Sequence, residues 1–201
     1  MSTIFTYLHK GLLTTLLLLA GFVAFGNHLV GMDLFYTHVS GNTYKITLIA
    51  YGNCGSAGMS GAYDALPTNR PELYVYDGGS LRSTLTMTIQ PPATGVEITP
   101  VCPADLLNTQ CTDVTYTIPG IKKFVYTVTY TVPYRSNVWR FVFTGNLGGS
   151  LAGRALSITN ISSSPVTYIQ LEDTLNNTVV NNSSPILSVV PTPFFCMDNN
   201  D

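Results

Sequence analysis

Charge is scarce in this 201-residue chain: Asp, Glu, Lys and Arg together make up 10% of it, against about a quarter in ordinary globular proteins. The net charge is -2 and no cluster of Lys or Arg occurs anywhere. Those two absences exclude electrostatic capture of nucleic acid or of an anionic lipid surface. Histidine is equally sparse, with three in the whole chain and only His28 and His38 beyond the first 26 residues. Both read as strand residues with ordinary hydrogen-bond partners, which leaves a Ser-His-Asp site little to be built from. Ser60 in Gly58-Met59-Ser60-Gly61 and Ser150 in Gly148-Gly149-Ser150 lack the glycine two residues on that a nucleophile elbow needs. The few carboxylates are scattered; the adjacent pair Glu172-Asp173 would face opposite sides of a strand. No Cys-x-x-Cys spacing exists, so a structural zinc site is not indicated. The expectation is a chain that is not an enzyme and binds no metal in its body.

Long apolar runs are also missing. The run from Leu12 to Phe25 spans about 14 residues, short of the roughly 20 needed to cross a bilayer. Preceded by Lys10 and followed by Ala24-Phe25-Gly26, it predicts a cleavable signal peptide over residues 1–26 with a mature start at Asn27. The implied address is secreted, extracellular or on the outer cell surface, with no membrane span in the mature chain.

What is present is period-2 alternation. From Asn42 to Cys54, Tyr44, Ile46, Leu48 and Ala50 share one face, while Lys45, Thr47, Ile49 and Tyr51 share the other. Further strands are predicted at 29–39, 72–77, 81–89, 113–118, 122–132, 137–144, 155–161, 166–171 and 178–180. Turn chemistry at Ser40-Gly41-Asn42 and Asp77-Gly78-Gly79 separates several of them. No helical period appears after the first 26 residues. The fold class is therefore all-β, an antiparallel Ig-like β-sandwich of about 9–11 short strands over residues 27–190, with 191–201 a linker toward a following module.

Four cysteines behind a signal peptide are read as disulfides with three possible connectivities. Cys102 and Cys111 bracket a short loop, and the spacing predicts that they pair; Cys54 and Cys196 would then join an early strand to the end of the chain.

Several motifs resemble one family, the N-terminal domain of large secreted Bacteroidota surface proteins associated with gliding motility and type IX secretion. They are Asn27-His28-Leu29-Val30-Gly31-Met32-Asp33-Leu34 with Tyr36, and Asn42-x-Tyr44-x-Ile46-Thr47-Leu48-x-x-Tyr51-x-x-Cys54. In the same order follow Leu73-x-Val75-Tyr76-Asp77, Arg154-x-x-x-Ile158-x-Asn160-Ile161, Asn182-Ser183-Ser184-Pro185 and Phe195-Cys196. Ala152-Gly153 stand where relatives carry a vicinal cysteine pair, and Gly52-Asn53 where they carry Arg-Asp. The resemblance implies further Ig-like or PKD-like modules of the same polypeptide as partners, together with cell-surface or extracellular polymers.

Three minor features complete the reading. Asp198 and Asp201, in Asp198-Asn199-Asn200-Asp201, offer oxygen ligands for calcium at the junction with a following module. Thr174, in Asp173-Thr174-Leu175, matches the short O-glycosylation sequon that the resemblance brings with it. The tyrosines and Trp139 could form a glycan platform, although their alternating positions favour packing. The function expected is a non-enzymatic structural or adhesive module of an exported surface protein; the alternative is a carbohydrate-binding module of a longer secreted enzyme.

Overall fold

A computed structural model describes residues 29–54, 66–145, 170–179 and 182–185. The expected signal peptide at 1–26, the expected strand at 155–161, Cys196, Asp198 and Asp201 lie outside the described residues.

The expected all-β sandwich is what the chain forms, and nine strands fall among the described residues: β1 (Leu29–Ser40), β2 (Thr43–Asn53), β3 (Glu72–Asp77), β4 (Ser80–Thr86), β5 (Thr88–Ile89), β6 (Val96–Glu97), β7 (Ile121–Thr131), β8 (Trp139–Phe143) and β9 (Leu171–Leu175). One antiparallel sheet runs β1-β2-β7, with β5 and β6 both paired to the outer edge of β7. The other runs β4-β3-β8-β9, also antiparallel. The inward face of β2 is realised as expected, and Thr47 of the other face is buried too. Tyr44, Ile46, Leu48 and Ala50 are completely buried, facing the second sheet, whose inward residues Leu73, Val75, Trp139, Phe141 and Phe143 are buried as well. Such a core follows from the hydrophobic effect acting on one face of each sheet.

Tyr36 of β1 bridges the two layers. Its ring packs edge-on against Tyr44, with centroids 5.7 Å apart, and tilts over Phe141 of the opposite sheet at 5.6 Å. Its hydroxyl reaches the carbonyl of Thr174 in β9 at 3.2 Å.

Four local expectations are corrected. The run 81–89 is two strands in different sheets: the chain leaves β4 and enters β5 at the fully buried Met87, whose N–H donates to the Pro71 carbonyl. Leu85, Met87 and Ile89 all point to the shared core, so the alternation continues unbroken through the switch. Residues 113–118 form turns, because the Asp113 carboxylate accepts from the N–H and hydroxyl of Thr115 and its carbonyl from the N–H of Tyr116. Thr178 is held likewise by Asn176 and lies in a bend. The strand expected to finish at Leu171 instead begins there and carries Glu172 and Asp173.

The disulfide pairing is corrected too. Cys54 is bonded to Cys111, with Cα atoms 4.8 Å apart, so neither Cys102–Cys111 nor Cys54–Cys196 can form. After Cys102 the chain coils through a 3-10 turn, Pro103–Asn108, and a bridge between Thr109 and Ile118 then folds Cys111 back. Gly120 is the contact point. Its carbonyl accepts from the Cys54 N–H at 2.9 Å, and a Cβ placed on it would come within 2.5 Å of the Cys111 sulfur. Cys102 is itself disulfide-bonded.

Candidate functional site

Two arrangements on this sandwich depart from plain packing. The first is a seam where the segment 182–185 lies along the edge of β1. The Tyr36 N–H donates to Ser184 Oγ and the Ser184 N–H donates to the Tyr36 carbonyl, each at 2.9 Å. One residue pair along, the His38 N–H donates to Ser183 Oγ at 2.9 Å. The Ser184 hydroxyl donates to the Asp173 carboxylate of β9, and Asn182 Oδ1 lies 3.4 Å from the Tyr36 hydroxyl. Asn182-Ser183-Ser184-Pro185 thus fastens β1 to β9 with short polar side chains, satisfying backbone groups that an edge strand would otherwise leave open. Burial pushes the Tyr36 hydroxyl up to about 12, reinforced by the Asp173 carboxylate and by Tyr44.

The second arrangement is the outer face of the second sheet. Tyr74 and Tyr76, two apart on β3, point away from the core and are half-buried. Cross-strand register sets Tyr76 beside Arg140 and Arg140 beside Thr174; Tyr74 sits beside Val142 and Val142 beside Glu172. Arg140 grips Glu172 with Nε at 2.5 Å and one terminal nitrogen at 2.6 Å, and its guanidinium lies 5.6 Å from the Tyr76 ring centre. Its other terminal nitrogen donates to the Gly78 carbonyl at 3.3 Å. The pair holds the Glu172 carboxyl below its ordinary range and raises the guanidinium. Both side chains remain about one-third exposed, at 34% and 31%.

Asp77 closes one end of this sheet. It accepts from the Tyr134 hydroxyl at 2.7 Å, the Ser136 hydroxyl at 2.8 Å and Arg82 at 3.3 Å. The hydrogen bonds from Tyr134 and Ser136 hold its carboxyl below the usual range. Gly78, at φ +57°, makes the turn that follows.

The predicted site residues divide as follows. Cys54 and Cys111 meet each other, and Cys102 is bonded apart from both. Thr174 is exposed on β9, its carbonyl held by Tyr36. Glu172 and Asp173 do face opposite sides, the first to Arg140 and the second to Ser184. His38 bonds the carbonyl of Gly41 through Nε2. Trp139 is fully buried and cannot serve a glycan platform; its indole N–H donates to the Tyr134 carbonyl. Among the described residues no three of His, Cys, Asp and Glu converge as a metal site would require, and no helix is long and apolar enough to cross a membrane. The sequence reading did not single out Arg140, although Arg140 and Glu172 lie in neighbouring strands with the right parity to meet. No family model, curated protein or solved structure matches the chain.

Proposed function

We propose that this chain is a non-enzymatic structural or adhesive module of an exported cell-surface protein. The observation that carries this reading is the fastening of segment 182–185 onto β1 and β9, which ties the end of the sandwich to its first strand. A module strung in series needs its exit anchored so that tension on the following chain is borne by the folded body. The Cys54–Cys111 bond at the end of β2 supports the same reading, since disulfides belong to oxidising compartments. A surface with 10% charge overall, filled with Thr, Ser and Asn, also suits an extracellular setting. On this reading the chain resembles the N-terminal domains of gliding-associated Bacteroidota surface proteins, and its partners are further modules of its own polypeptide and extracellular polymers.

A protease added to intact source cells should release fragments of the chain, and non-reducing gels should show it oxidised. Recovery of an intact, reduced chain from the cell interior would end the proposal, as would turnover of glycoside, ester or peptide substrates by the purified protein.

A second reading, a carbohydrate-binding module of a longer secreted enzyme, is favoured by the half-buried Tyr74 and Tyr76 beside the Arg140–Glu172 pair.

A further inference from the structure

We propose that the outer face of the β4-β3-β8-β9 sheet binds a neutral polysaccharide, with Tyr74 and Tyr76 as the stacking floor and Arg140 with Glu172 as the polar clamp. The inference deepens the adhesive reading by naming the chemical class of polymer.

The geometry supplies what a sugar ring requires. A pyranose offers apolar C–H faces and a rim of hydroxyls, so its binding site combines aromatic rings with planar donors and acceptors. Tyr74 and Tyr76 project on one face about 7 Å apart along β3, the repeat of alternate strand residues. The register places Arg140 directly across from Tyr76, with Glu172 one strand further on, beside the Val142 that faces Tyr74.

That pair is held in advance of any ligand. Arg140 has five N–H donors, of which three are directed to Glu172 and the Gly78 carbonyl. Two donors remain on a guanidinium whose plane is fixed by a carboxylate and a ring. Glu172 keeps lone pairs beyond those that the guanidinium uses. A fixed donor beside a fixed acceptor matches two neighbouring hydroxyls, each of which both donates and accepts, and little side-chain ordering is left to oppose binding.

Charge then selects among polymers. Among the described residues, Arg140 on this face is already paired with Glu172. A polyanion would meet a cation already committed to a carboxylate, so an uncharged glycan is the polymer that fits.

The test is affinity electrophoresis and calorimetry of the disulfide-intact protein against soluble uncharged polymers (mixed-linkage β-glucan, xyloglucan, galactomannan), with alginate as the polyanion. At least one uncharged polymer should bind, and Tyr74→Ala and Tyr76→Ala should each weaken binding by tenfold or more. Arg140→Lys, which keeps the charge and loses the fork, should weaken it by at least fivefold. Tyr51→Ala, on the outer face of the other sheet, should leave binding unchanged, and near-ultraviolet circular dichroism would confirm that each variant is folded. The proposal is overturned if no uncharged polymer binds, if alginate binds more tightly, or if the folded Tyr74 and Tyr76 variants bind like the parent. None of those results touches the protease-accessibility test of the surface location, so the two readings fail separately.

Discussion

Tyr36 and Ser184 stand 148 residues apart and bond each other twice, N–H to Oγ and N–H to carbonyl, at 2.9 Å each. The pairing is not symmetrical, because the serine side chain takes one of the two roles that backbone fills in a regular ladder. Ser184 Oγ also donates to Asp173, so a single hydroxyl serves both sheets. Ser184→Ala should strand the Tyr36 N–H and leave Asp173 without that donor. A loss of about 1–3 kcal/mol is expected for stranding buried polar groups. Urea unfolding should show a lower midpoint with an unchanged slope. A midpoint equal to that of the parent would mean that the seam adds nothing to stability.

Tyr36 and Tyr44 are neighbours in the core with opposite expected responses to losing their hydroxyls. Tyr36→Phe removes the contacts to Thr174 and Asn182 and should cost about 1 kcal/mol. The Tyr44 hydroxyl is buried with no partner at hydrogen-bond distance among the described residues, as is Nδ2 of Asn177. Burial raises the Tyr44 hydroxyl, opposed by the Asn177 side chain and by Arg135. Tyr44→Phe removes an unsatisfied polar atom and should be neutral or slightly stabilising. Parallel thermal melts would decide the matter, and a Tyr44→Phe protein less stable than Tyr36→Phe would refute the contrast.

The acid limb of stability should run through Asp77. Its folded-state carboxyl is lowered from 3.8, first by Tyr134 and then by Ser136. A depressed folded value contributes stability that is fully present above the unfolded value and is lost as pH falls through the folded one. Glu172, lowered by Arg140, acts in the same direction. Unfolding midpoints measured from pH 6 down to 2 should therefore fall below about pH 4, and Asp77→Asn should flatten that fall while lowering stability at neutral pH. A variant profile parallel to the parent's would remove Asp77 from the account. The alkaline limb has the opposite sign. Tyr36 and Tyr51, both pushed up to about 12 from 10.0, contribute stability below pH 10 that is lost as pH rises through their folded values.

How far these features were legible in the sequence depends on what each element answers to. β2 was readable because one of its faces meets the core, and Tyr44, Ile46, Leu48 and Ala50 record that face residue by residue. The β4–β5 switch was not, because Leu85, Met87 and Ile89 see one core from both sheets and the alternation carries no mark of the change. β9 was displaced because acidic residues are depleted in strands; Glu172 and Asp173 are tolerated there through partners in distant segments, Arg140 and Ser184. The outer-face cluster of Tyr74, Tyr76, Arg140 and Glu172 depends on register between three strands, which no local pattern encodes. The pairing of Cys54 with Cys111 rests on a fold-back that brings Gly120 between them, and loop length alone favours the nearer cysteine.

That fold-back gives the last prediction. Cys54 and Cys111 are separated by 57 residues, and closing such a loop in the unfolded chain corresponds to about 4 kcal/mol in the chain-entropy model. The bond depends on Gly120, where an added Cβ would meet the Cys111 sulfur at 2.5 Å and its backbone nitrogen at 2.8 Å. Backbone cannot yield as a flexible side-chain end can, so Gly120→Ala should displace Cys111 and lower the yield of the correctly bonded form. Peptide mapping without reductant should recover Cys54 linked to Cys111 in the parent. In Gly120→Ala that linked peptide should be depleted or replaced by mispaired ones. A parent map showing Cys102 joined to Cys111 would overturn the fold-back itself, because the Thr109–Ile118 bridge and the Gly120 contact both require Cys111 to face Cys54.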